Sequence, residues 1–374
     1  MTRVAYIAIS EDVNANHAGL THSRGICRGL AQTGAEVYLF LRGEKESWQM
    51  VEGVTEVVLP RKGFWKPLIG KDAEVWERAR KKVSECDVVH ERYSVNPLSR
   101  WLIGNRPVFL EVNDPLTKTW SGIKKIIFFP LIQAKKKNVC GVITQTNTLA
   151  RLLKDEFSVP IRVISNGADV ESFSTISKSN LTVKSDPLTV IFVGSFREWH
   201  GVELIPPIAR RVVREIPNVQ FVLVGDGPLF EQVKYSLHTN GLENNVVLRG
   251  AVPFEEVKKE LLRADVAIAP FSKEGNAALA KYGFWWCPVK LFEYLAAGKA
   301  IVASDFAEVR TILGDAGKIT PPSDVEKMAG EIINLLAHPA LRQKLGSAAK
   351  KRALLFSWKN LAKQVREFYA ETGV

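Results

Sequence analysis

The chain has 374 residues, a length that suits two domains, each large enough to bury a core of its own. Hydrophobic residues make up 46% and charged residues 24%, which excludes a disordered chain and is typical of a globular protein. The net charge is +11, and residues 1–166 hold most of it, with 25 Lys and Arg against 17 Asp and Glu. The basic first half predicts an anionic partner there: phosphate, acidic lipid or nucleic acid.

Leader, membrane-spanning and disulfide patterns are lacking in the sequence. Residues 1–10 have the pattern of a strand rather than a signal peptide. The longest apolar run, Ile126 to Ile132, is too short to cross a bilayer. The four cysteines are widely spaced, without a Cys-x-x-Cys pair, which argues against zinc and indicates a reducing compartment. We therefore expect a cytoplasmic protein.

In the first half, strand-like runs alternate with helical patterns, as in a parallel sheet with crossover helices. The clearest unit is a strand over Val4–Ile9, a helix from about Thr21 to Thr33 with Gly34 as its C-cap, and a strand over Glu36–Leu41. Further strands are predicted at Asp87–His90, Val108–Val112, Val139–Thr144 and Arg162–Ile164.

A polar stretch from Ser172 to Pro187 has no convincing pattern, and we predict a domain boundary near it. The alternation then restarts, which predicts a second Rossmann-like domain with strands at Leu188–Val193, Val219–Val224, Val246–Leu248, Val266–Ala269 and Ala300–Ser304. The tail from Ser357 to Thr372 has a helical period that suits packing on either domain. The expected organisation is residues 1–170, residues 171–355 and a C-terminal helix within 356–374.

The segment from Pro288 to Gly298 is a first candidate site. Pro288 suits the first turn of a helix and Gly298 its C-cap, so Lys290 and Glu293 lie on one face near the positive end of the helix. Free amides and a lysine can hold a diphosphate, and a carboxylate can accept hydrogen bonds from ribose hydroxyls. The alternative is an exposed Lys–Glu pair without a function.

A second candidate is the loop from Gly194 to Gly201, which follows a predicted strand and presents Arg197 and His200. Glycines let the backbone approach a ligand closely, and a guanidinium suits a diphosphate. The pattern is neither the nicotinamide fingerprint nor a Walker loop, which weakens both of those interpretations. The alternative is an ordinary strand-to-helix turn.

The first half offers weaker candidates. Gly19, Thr21 and His22 are predicted at the N-terminus of the first helix, where a phosphate of donor or acceptor can be held. Thr21 as a plain N-cap is the alternative. His90 lies at a strand end, where a structural histidine with satisfied hydrogen bonds is the alternative to an active one.

Two segments of the first half, residues 61–71 and 124–137, mix lysines with apolar side chains. This mixture suits insertion at an anionic membrane surface, while the alternative is one loop and one core helix with solvated ends. Without a recognised motif to accompany the charge, nucleic acid is the less favoured partner.

Several motifs together resemble the donor domain of family 4 glycosyltransferases. They are Gly194–Gly201, the turn Val224–Pro228, Ala264–Pro270 and the run from Lys290 to Ser304, with looser matches at Ser165–Asp169, His90–Ser94, Leu110–Asn113 and the Trp358 helix. The resemblance implies the GT-B fold, an α/β architecture with two Rossmann-like domains facing each other across a cleft. It also implies that the last helix returns to the first domain.

The resemblance further implies retaining transfer of a sugar from a nucleotide-diphosphate sugar, without a metal ion or other cofactor. The second domain would bind the donor and the first the acceptor. The catalytic candidates are Arg197, Lys290, His90 and Asn113. The donor-binding candidates are Gly194, His200, Gly225, Pro270, Val289, Leu291 and Glu293, with Glu293 on the ribose.

Three positions depart from the family pattern. Trp285 stands where the first of two glutamates falls, His200 replaces a loop lysine, and Asn113 replaces a histidine and cannot take a proton. The alternatives are therefore a non-catalytic nucleotide-sugar-binding subunit and a nucleotide-sugar epimerase, which would need carboxylates in the cleft. The basic apolar segments favour a lipid-linked or envelope glycan acceptor and a peripheral position on the inner face of the cell membrane.

Overall fold

The computed structural model describes residues 1–14, 18–60, 71–94, 96–119, 133, 136–175, 187–274 and 276–373. The chain divides into two compact units. Unit 1 comprises Met1–Gly167 and the C-terminal segment that begins at Trp358, and unit 2 comprises Ala168–Ser357. Each unit contains one mainly parallel sheet with helices, so the α/β class with two parallel-sheet domains is confirmed.

Unit 1 is built on an eight-stranded sheet. Its strands are β1 (Arg3–Asp12), β2 (Glu36–Gly43), β3 (Ser47–Val51), β4 (Val54–Pro60), β5 (Val88–Arg92), β6 (Val108–Glu111), β7 (Val139–Thr144) and β8 (Ile161–Val163). They lie in the order β3-β4-β2-β1-β5-β6-β7-β8, and β3 at the edge is antiparallel to β4. This hairpin was not predicted from the sequence, although its turn residues Glu52 and Gly53 have positive φ of 50° and 81°, as tight hairpin turns require.

The helices of unit 1 before the crossing are α1 (Ala18–Gln32), α2 (Lys71–Ser84), α3 (Pro97–Ile103) and α4 (Asn147–Leu153), with a 3₁₀ turn at Leu116–Thr119. The crossing to unit 2 falls between Gly167 and Ala168. Most of the polar stretch predicted as a connection, residues 176–186, lies outside the described residues.

Unit 2 is built on a six-stranded, fully parallel sheet. Its strands are β9 (Thr189–Val193), β10 (Gln220–Val224), β11 (Val246–Gly250), β12 (Val266–Ala269), β13 (Ala300–Ser304) and β14 (Gly317–Thr320), in the order β11-β10-β9-β12-β13-β14. Its helices are α5 (Val170–Thr175), α6 (Ile205–Glu215), α7 (Phe230–Thr239), α8 (Phe254–Arg263), α9 (Ala277–Tyr282), α10 (Val289–Ala296), α11 (Ala307–Leu313), α12 (Val325–Ala337) and α13 (Pro339–Ala353). Short 3₁₀ turns lie at Glu198–His200, Val202–Leu204, Gly314–Ala316 and Leu354–Phe356.

The last helix, α14 (Trp358–Glu371), belongs to unit 1. Its apolar face, formed by Trp358, Leu361, Val365 and Phe368, is buried in the core of that unit. Two glycines of α1 allow the close approach, because a Cβ at Gly25 would overlap the Trp358 ring and one at Gly29 would overlap the Trp358 carbonyl. Among the described residues, no helix combines the length and apolar character needed to cross a bilayer.

Each sheet has one point where strand addition changes side. It lies between β1 and β5 in unit 1 and between β9 and β12 in unit 2. In open parallel sheets, ligands bind outside the carboxyl ends of the strands at this point. In unit 2 the loop Gly194–Gly201 follows β9 and the segment from Pro270 follows β12, so both begin where a ligand is expected.

Candidate functional site

Glycines hold the loops of the candidate site in unit 2 together. Gly194 and Gly225 have φ of 147° and 132°, which other residues rarely adopt. A Cβ on Gly225 would overlap the Gly194 carbonyl, and one on Gly201 would overlap the carbonyl of Pro270. Gly225 and Pro270, both predicted to bind the donor, therefore support the Gly194–Gly201 loop through their backbones.

The ammonium of Lys290 lies against this loop without a hydrogen-bond partner. The residue is only 7% exposed, and its Nζ lies 4.1 Å from the ring centroid of Phe192 and 5.5 Å from that of Phe271. Burial lowers the pKa of Lys290 to about 7, although the Glu293 carboxylate acts in the opposite direction. An unpaired buried cation is costly, so this ammonium is suited to an anionic ligand.

Lys299 shows how a buried structural lysine is satisfied in the same unit. It is 9% exposed, and its Nζ donates hydrogen bonds of 2.9 Å to the carbonyl oxygens of Leu262 and Ala264. Lys290 is equally buried but has no such acceptors. Among the described residues, Lys290 thus differs from Lys299 in having no hydrogen-bond acceptor within reach of its ammonium.

Helix α10 adds backbone donors beside Lys290. Its N-cap, Pro288, offers no side-chain acceptor, so the first-turn amides of Val289 and Lys290 point out of the helix end without an intrahelical partner. The amide of Leu291 instead donates to the Pro288 carbonyl at 3.1 Å, and its side chain is fully buried. Leu291 therefore has no free side-chain or amide group for the nucleotide sugar, which corrects its prediction as a residue that binds the sugar donor.

Glu293 lies one turn further along α10 and is partly exposed. Burial raises the pKa of its carboxyl to about 7, and the charge of Lys290 opposes the rise. Within the described part of unit 2, Lys290 keeps no ion pair with Glu293, since its Nζ has no partner. The two side chains can therefore bind different parts of one ligand.

Arg197 and His200 lie on the Gly194–Gly201 loop. Arg197 is exposed, with its guanidinium carbon 5.2 Å from the ring centroid of Trp199. His200 Nδ1 lies 2.6 Å from the Ser195 carbonyl oxygen, so this nitrogen carries the proton and donates it. Burial and the charge of Lys290 lower the pKa of His200 to about 3. His200 is therefore neutral, and its Nε2 can accept a hydrogen bond from a hydroxyl but cannot donate one to a phosphate.

An aromatic cluster beside these groups was missed from sequence. The rings of Trp199 and Trp286 lie 5.0 Å apart, Phe284 lies 5.8 Å from Trp286, and Phe271 lies 5.3 Å from Phe284. Since Phe271 also lies beneath the Lys290 ammonium, the cluster is continuous with the cationic part of the site. Two features of the sequence could have predicted this aromatic cluster: Trp199 between Arg197 and His200, and the Phe-Trp-Trp run before α10.

In unit 1 the polar candidates converge on Glu111 at the end of β6. Its carboxylate is 1% exposed and accepts hydrogen bonds from Tyr6 Oη at 2.6 Å and from His22 Nε2 and Gln145 Nε2 at 3.1 Å. The guanidinium of Arg92 also donates a hydrogen bond to the Glu111 carboxylate. Burial alone would raise the pKa of Glu111, but His22 and Arg92 beside it hold the pKa well below its usual range.

His90 is enclosed by the same network. It is fully buried, with Nδ1 2.6 Å from the hydroxyl of Tyr369 on α14 and Nε2 3.4 Å from Glu111. Because His90 is fully buried, it cannot contact the substrate that receives the sugar. Its predicted catalytic role is therefore wrong, and its role is structural. His22 is likewise committed to Glu111, instead of facing a phosphate.

The phosphate position predicted at the start of α1 is occupied by a carboxylate of the chain. Helix α1 spans Ala18–Gln32, so Thr21 lies within the helix and is not its N-cap. A Cβ on Gly19 would lie 2.7 Å from both carboxylate oxygens of Glu11. Glu11 also accepts a 3.0 Å hydrogen bond from Arg92 Nε. The positive end of α1 is thus neutralised internally.

Asn113 remains the accessible catalytic candidate of unit 1. It follows β6 and is partly exposed. With its amide oxygen turned toward Arg92, it accepts hydrogen bonds of 2.7 and 2.9 Å from the guanidinium. An amide held by an arginine can orient a hydroxyl but cannot remove its proton.

Two further expectations concern features beyond these sites. Of the predicted membrane segments, residues 61–70, 124–132 and 134–135 lie outside the described residues. In the ranges that are described, no group of three or more His, Cys, Asp or Glu side chains is placed to hold a metal ion.

Comparisons with known proteins agree with this architecture. The family model described as Glycosyltransferase Family 4 matches residues 21–172, and that described as Glycosyl transferases group 1 matches residues 187–338. A phosphatidyl-myo-inositol mannosyltransferase of Mycolicibacterium smegmatis is 25% identical over 68% of the chain and 63% of its own length. The GPI3 subunit of a phosphatidylinositol N-acetylglucosaminyltransferase from Saccharomyces cerevisiae is 24% identical over 71% of the chain and 58% of its own length.

Solved structures share the fold at low identity. A sucrose-phosphate synthase from Thermosynechococcus elongatus superposes with a TM-score of 0.72 at 19% identity, over 99% of both chains. Anabaena HepE, solved in complex with UDP and glucose, superposes with a TM-score of 0.71 at 15% identity, over 99% of this chain and 100% of its own. The fold class is thus that of GT-B glycosyltransferases. Within that class, the chain belongs to glycosyltransferase family 4. It spans under two thirds of the length of the M. smegmatis relative.

Proposed function

We propose that the chain transfers a sugar from a nucleoside-diphosphate sugar to an acceptor, with unit 2 holding the donor. The observation that carries this proposal is the buried, unpartnered ammonium of Lys290 beside Gly194 and the open amides of α10. Lys290, Arg197 and these amides suit the diphosphate. Glu293 suits the ribose hydroxyls, and neutral His200 suits a hydroxyl of the sugar.

The proposed chemistry places positive charge where negative charge develops. As the bond from the anomeric carbon to the diphosphate oxygen breaks, its electron pair moves to the diphosphate. The acceptor hydroxyl oxygen forms the new bond to the anomeric carbon on the same face, and its proton passes to the departing diphosphate oxygen. Lys290 and Arg197 stabilise the departing anion, because the favourable interaction grows as the charge appears. In this proposal the chain's own cations supply that stabilisation without a metal ion, and transfer retains the anomeric configuration.

The proposed acceptor is a lipid-linked or envelope glycan bound by unit 1 at the inner face of the cell membrane. The support is the excess of basic residues in the first half and the basic apolar composition of residues 61–71 and 124–137. The names of the mycobacterial and yeast relatives, both of which act on phosphatidylinositol-type lipids, point to the same class of acceptor.

Calorimetric titration with UDP, GDP, UDP-glucose and GDP-mannose tests the donor site. The wild-type chain is expected to bind at least one nucleoside diphosphate, and Lys290→Met to lose that binding more than 30-fold, since a buried charge pair is worth about 2–5 kcal/mol. Lys299→Met is the matched control, because it removes a buried ammonium that two carbonyls already satisfy. Equal loss in both variants, or no loss in Lys290→Met, would refute the site.

Lys290→Met should also stabilise the ligand-free protein, because the wild type buries a cation without a partner. Lys299→Met should instead lower the melting temperature. Opposite signs in a thermal scan would separate a ligand-binding lysine from a structural one.

Transfer itself is tested with a labelled nucleotide sugar and a bacterial lipid extract. The proposal predicts label in the lipid fraction and release of nucleoside diphosphate that depends on the extract. Binding without release would indicate a non-catalytic subunit, and interconversion of the sugar without an acceptor would indicate an epimerase.

A further inference from the structure

The tryptophan pair of unit 2 is not explained by diphosphate or ribose binding. Trp199 and Trp286 are each partly exposed, their rings lie 5.0 Å apart and they are tilted by 42°. Trp286 also contacts Trp285 at 5.3 Å and Phe284 at 5.8 Å, so the buried rings behind it fix its position. Two indoles held rigidly and left partly open form an apolar wall of the kind that binds a flat ligand face.

The positions of Glu293, Lys290 and Trp286 along the chain indicate which end of a nucleotide sugar the two tryptophans would contact. Glu293 lies within α10, Lys290 lies in the first turn, and Trp286 lies just before the helix. If Glu293 holds the ribose and Lys290 the diphosphate, the ligand continues past the start of α10 on the side opposite the nucleoside. The group on that side of a nucleotide sugar is the transferred sugar.

The second tryptophan reaches the same place from another loop. Trp199 lies between Arg197 and His200, and the amide of Ser272, on the segment after β12, lies 3.4 Å from the Trp199 carbonyl oxygen. The imidazole of His200, whose Nδ1 is hydrogen-bonded to Ser195, packs at an angle of 81° to this ring with the two centroids 6.1 Å apart. One hydroxyl acceptor next to an indole face matches a sugar ring, which has both hydroxyl edges and C–H faces.

Resting on the function proposed above, we propose that Trp199 and Trp286 form a stacking platform for the transferred sugar. The platform selects pyranoses that present a continuous C–H face. The guanidinium carbon of Arg197 lies 5.2 Å from the Trp199 ring centroid, so the proposed diphosphate and sugar positions adjoin each other.

The position of Trp285 fits this selection. Trp285 is 5% exposed and packs under Trp286, with the two ring centroids 5.3 Å apart. An aromatic ring at this position offers apolar contact area but no carboxylate to accept hydrogen bonds from the sugar hydroxyls. Sugars with fewer hydroxyls on the stacked face should therefore lose little affinity.

The test compares nucleotide sugars with the matching nucleoside diphosphates by calorimetry on the full chain. The probes are UDP with UDP-glucose and GDP with GDP-mannose. Trp286→Ala and Trp199→Ala should each weaken the nucleotide sugar about 10-fold or more while changing the nucleoside diphosphate less than about twofold. Trp286→Phe, which keeps an aromatic face, should recover most of the affinity. Trp48→Ala, at an exposed tryptophan of β3, is the control.

Separate outcomes distinguish this inference from the proposed function. Equal weakening of nucleoside diphosphate and nucleotide sugar, or no weakening of either, would overturn the platform while the Lys290 result stands. Failure of the wild-type chain to bind any of the four probes would overturn both. Retained nucleoside diphosphate binding shows that each variant is folded.

Discussion

The pH dependence of donor binding follows from the two neighbouring titratable groups of α10. The pKa of Lys290 is lowered to about 7 and that of Glu293 is raised to about 7, in both cases by burial. A nucleotide sugar does not titrate between pH 5.5 and 8.5, because each phosphorus has one ester and one anhydride bond and keeps only a strongly acidic hydroxyl. Any change in its Kd over this range therefore comes from the protein.

On the alkaline side, binding requires the charged form of Lys290, and the bound diphosphate raises its pKa. The free protein loses this charge above pH 7, which by itself raises the Kd about 30-fold between pH 6 and 8.5. Glu293 ionises over the same range and offsets about fourfold of this rise, so the net increase should be about eightfold, equivalent to about 1 kcal/mol. On the acid side, protonated Glu293 keeps hydrogen bonds to the ribose but loses their charge assistance. This loss is about fivefold towards pH 5.5, and it should be seen in full only when residue 290 stays charged, because in the wild type the recovering charge of Lys290 opposes it.

Two variants separate the limbs. Lys290→Arg remains charged throughout and should abolish the alkaline limb. Glu293→Gln should abolish the acid limb, and it should move the alkaline limb to lower pH because the Glu293 charge supports the charged form of Lys290. Calorimetric Kd values at five pH values suffice. A flat wild-type profile, or an alkaline limb that Glu293→Gln moves to higher pH, would refute the reasoning.

Further predictions concern packing and stability. Gly194→Ala places a Cβ on the Lys290 ammonium at a φ of 147°, so calorimetry should show more than tenfold weaker nucleoside diphosphate binding; unchanged binding would contradict the site geometry. Trp358→Ala empties the α1–α14 contact and should cost about 3–5 kcal/mol in urea unfolding of unit 1, and a loss below about 1 kcal/mol would show that α14 contributes little to unit 1. Glu111→Ala removes a carboxylate partner of Arg92 and should lower the free energy of unfolding by about 3–5 kcal/mol. Tyr369→Phe removes only the hydrogen bond to His90 and should lower it by about 1 kcal/mol. The reverse ranking would contradict the central place of Glu111 in this network.

Local sequence pattern predicted the buried strands well. Val266–Ala269 and Ala300–Ser304 have the same bounds in the structure as in the sequence analysis, because strands covered on both faces are continuous apolar runs. The edge strand Ser47–Val51 was missed because most of it is exposed and lacks such a run. The hydrophobic pattern of the sequence therefore predicts a strand reliably when the whole strand is buried.

The sites depend on contacts that sequence spacing does not reveal. The first-turn position of Lys290 was predictable from Pro288, but its lack of a partner depends on Gly194, on Phe192 of β9 and on Phe271 after β12. His90 was a reasonable candidate at a strand end. Only the arrival of Glu111 and Tyr369, from distant parts of the chain, shows that it is buried and committed.

The central claim is that the Lys290 site binds the diphosphate of a sugar donor that is then consumed. Its most direct test follows a labelled nucleotide sugar with wild-type chain and Lys290→Met, in the presence and absence of lipid extract. The account predicts labelled lipid only with the wild-type chain and only when extract is present. Labelled lipid at the wild-type rate with Lys290→Met would contradict it.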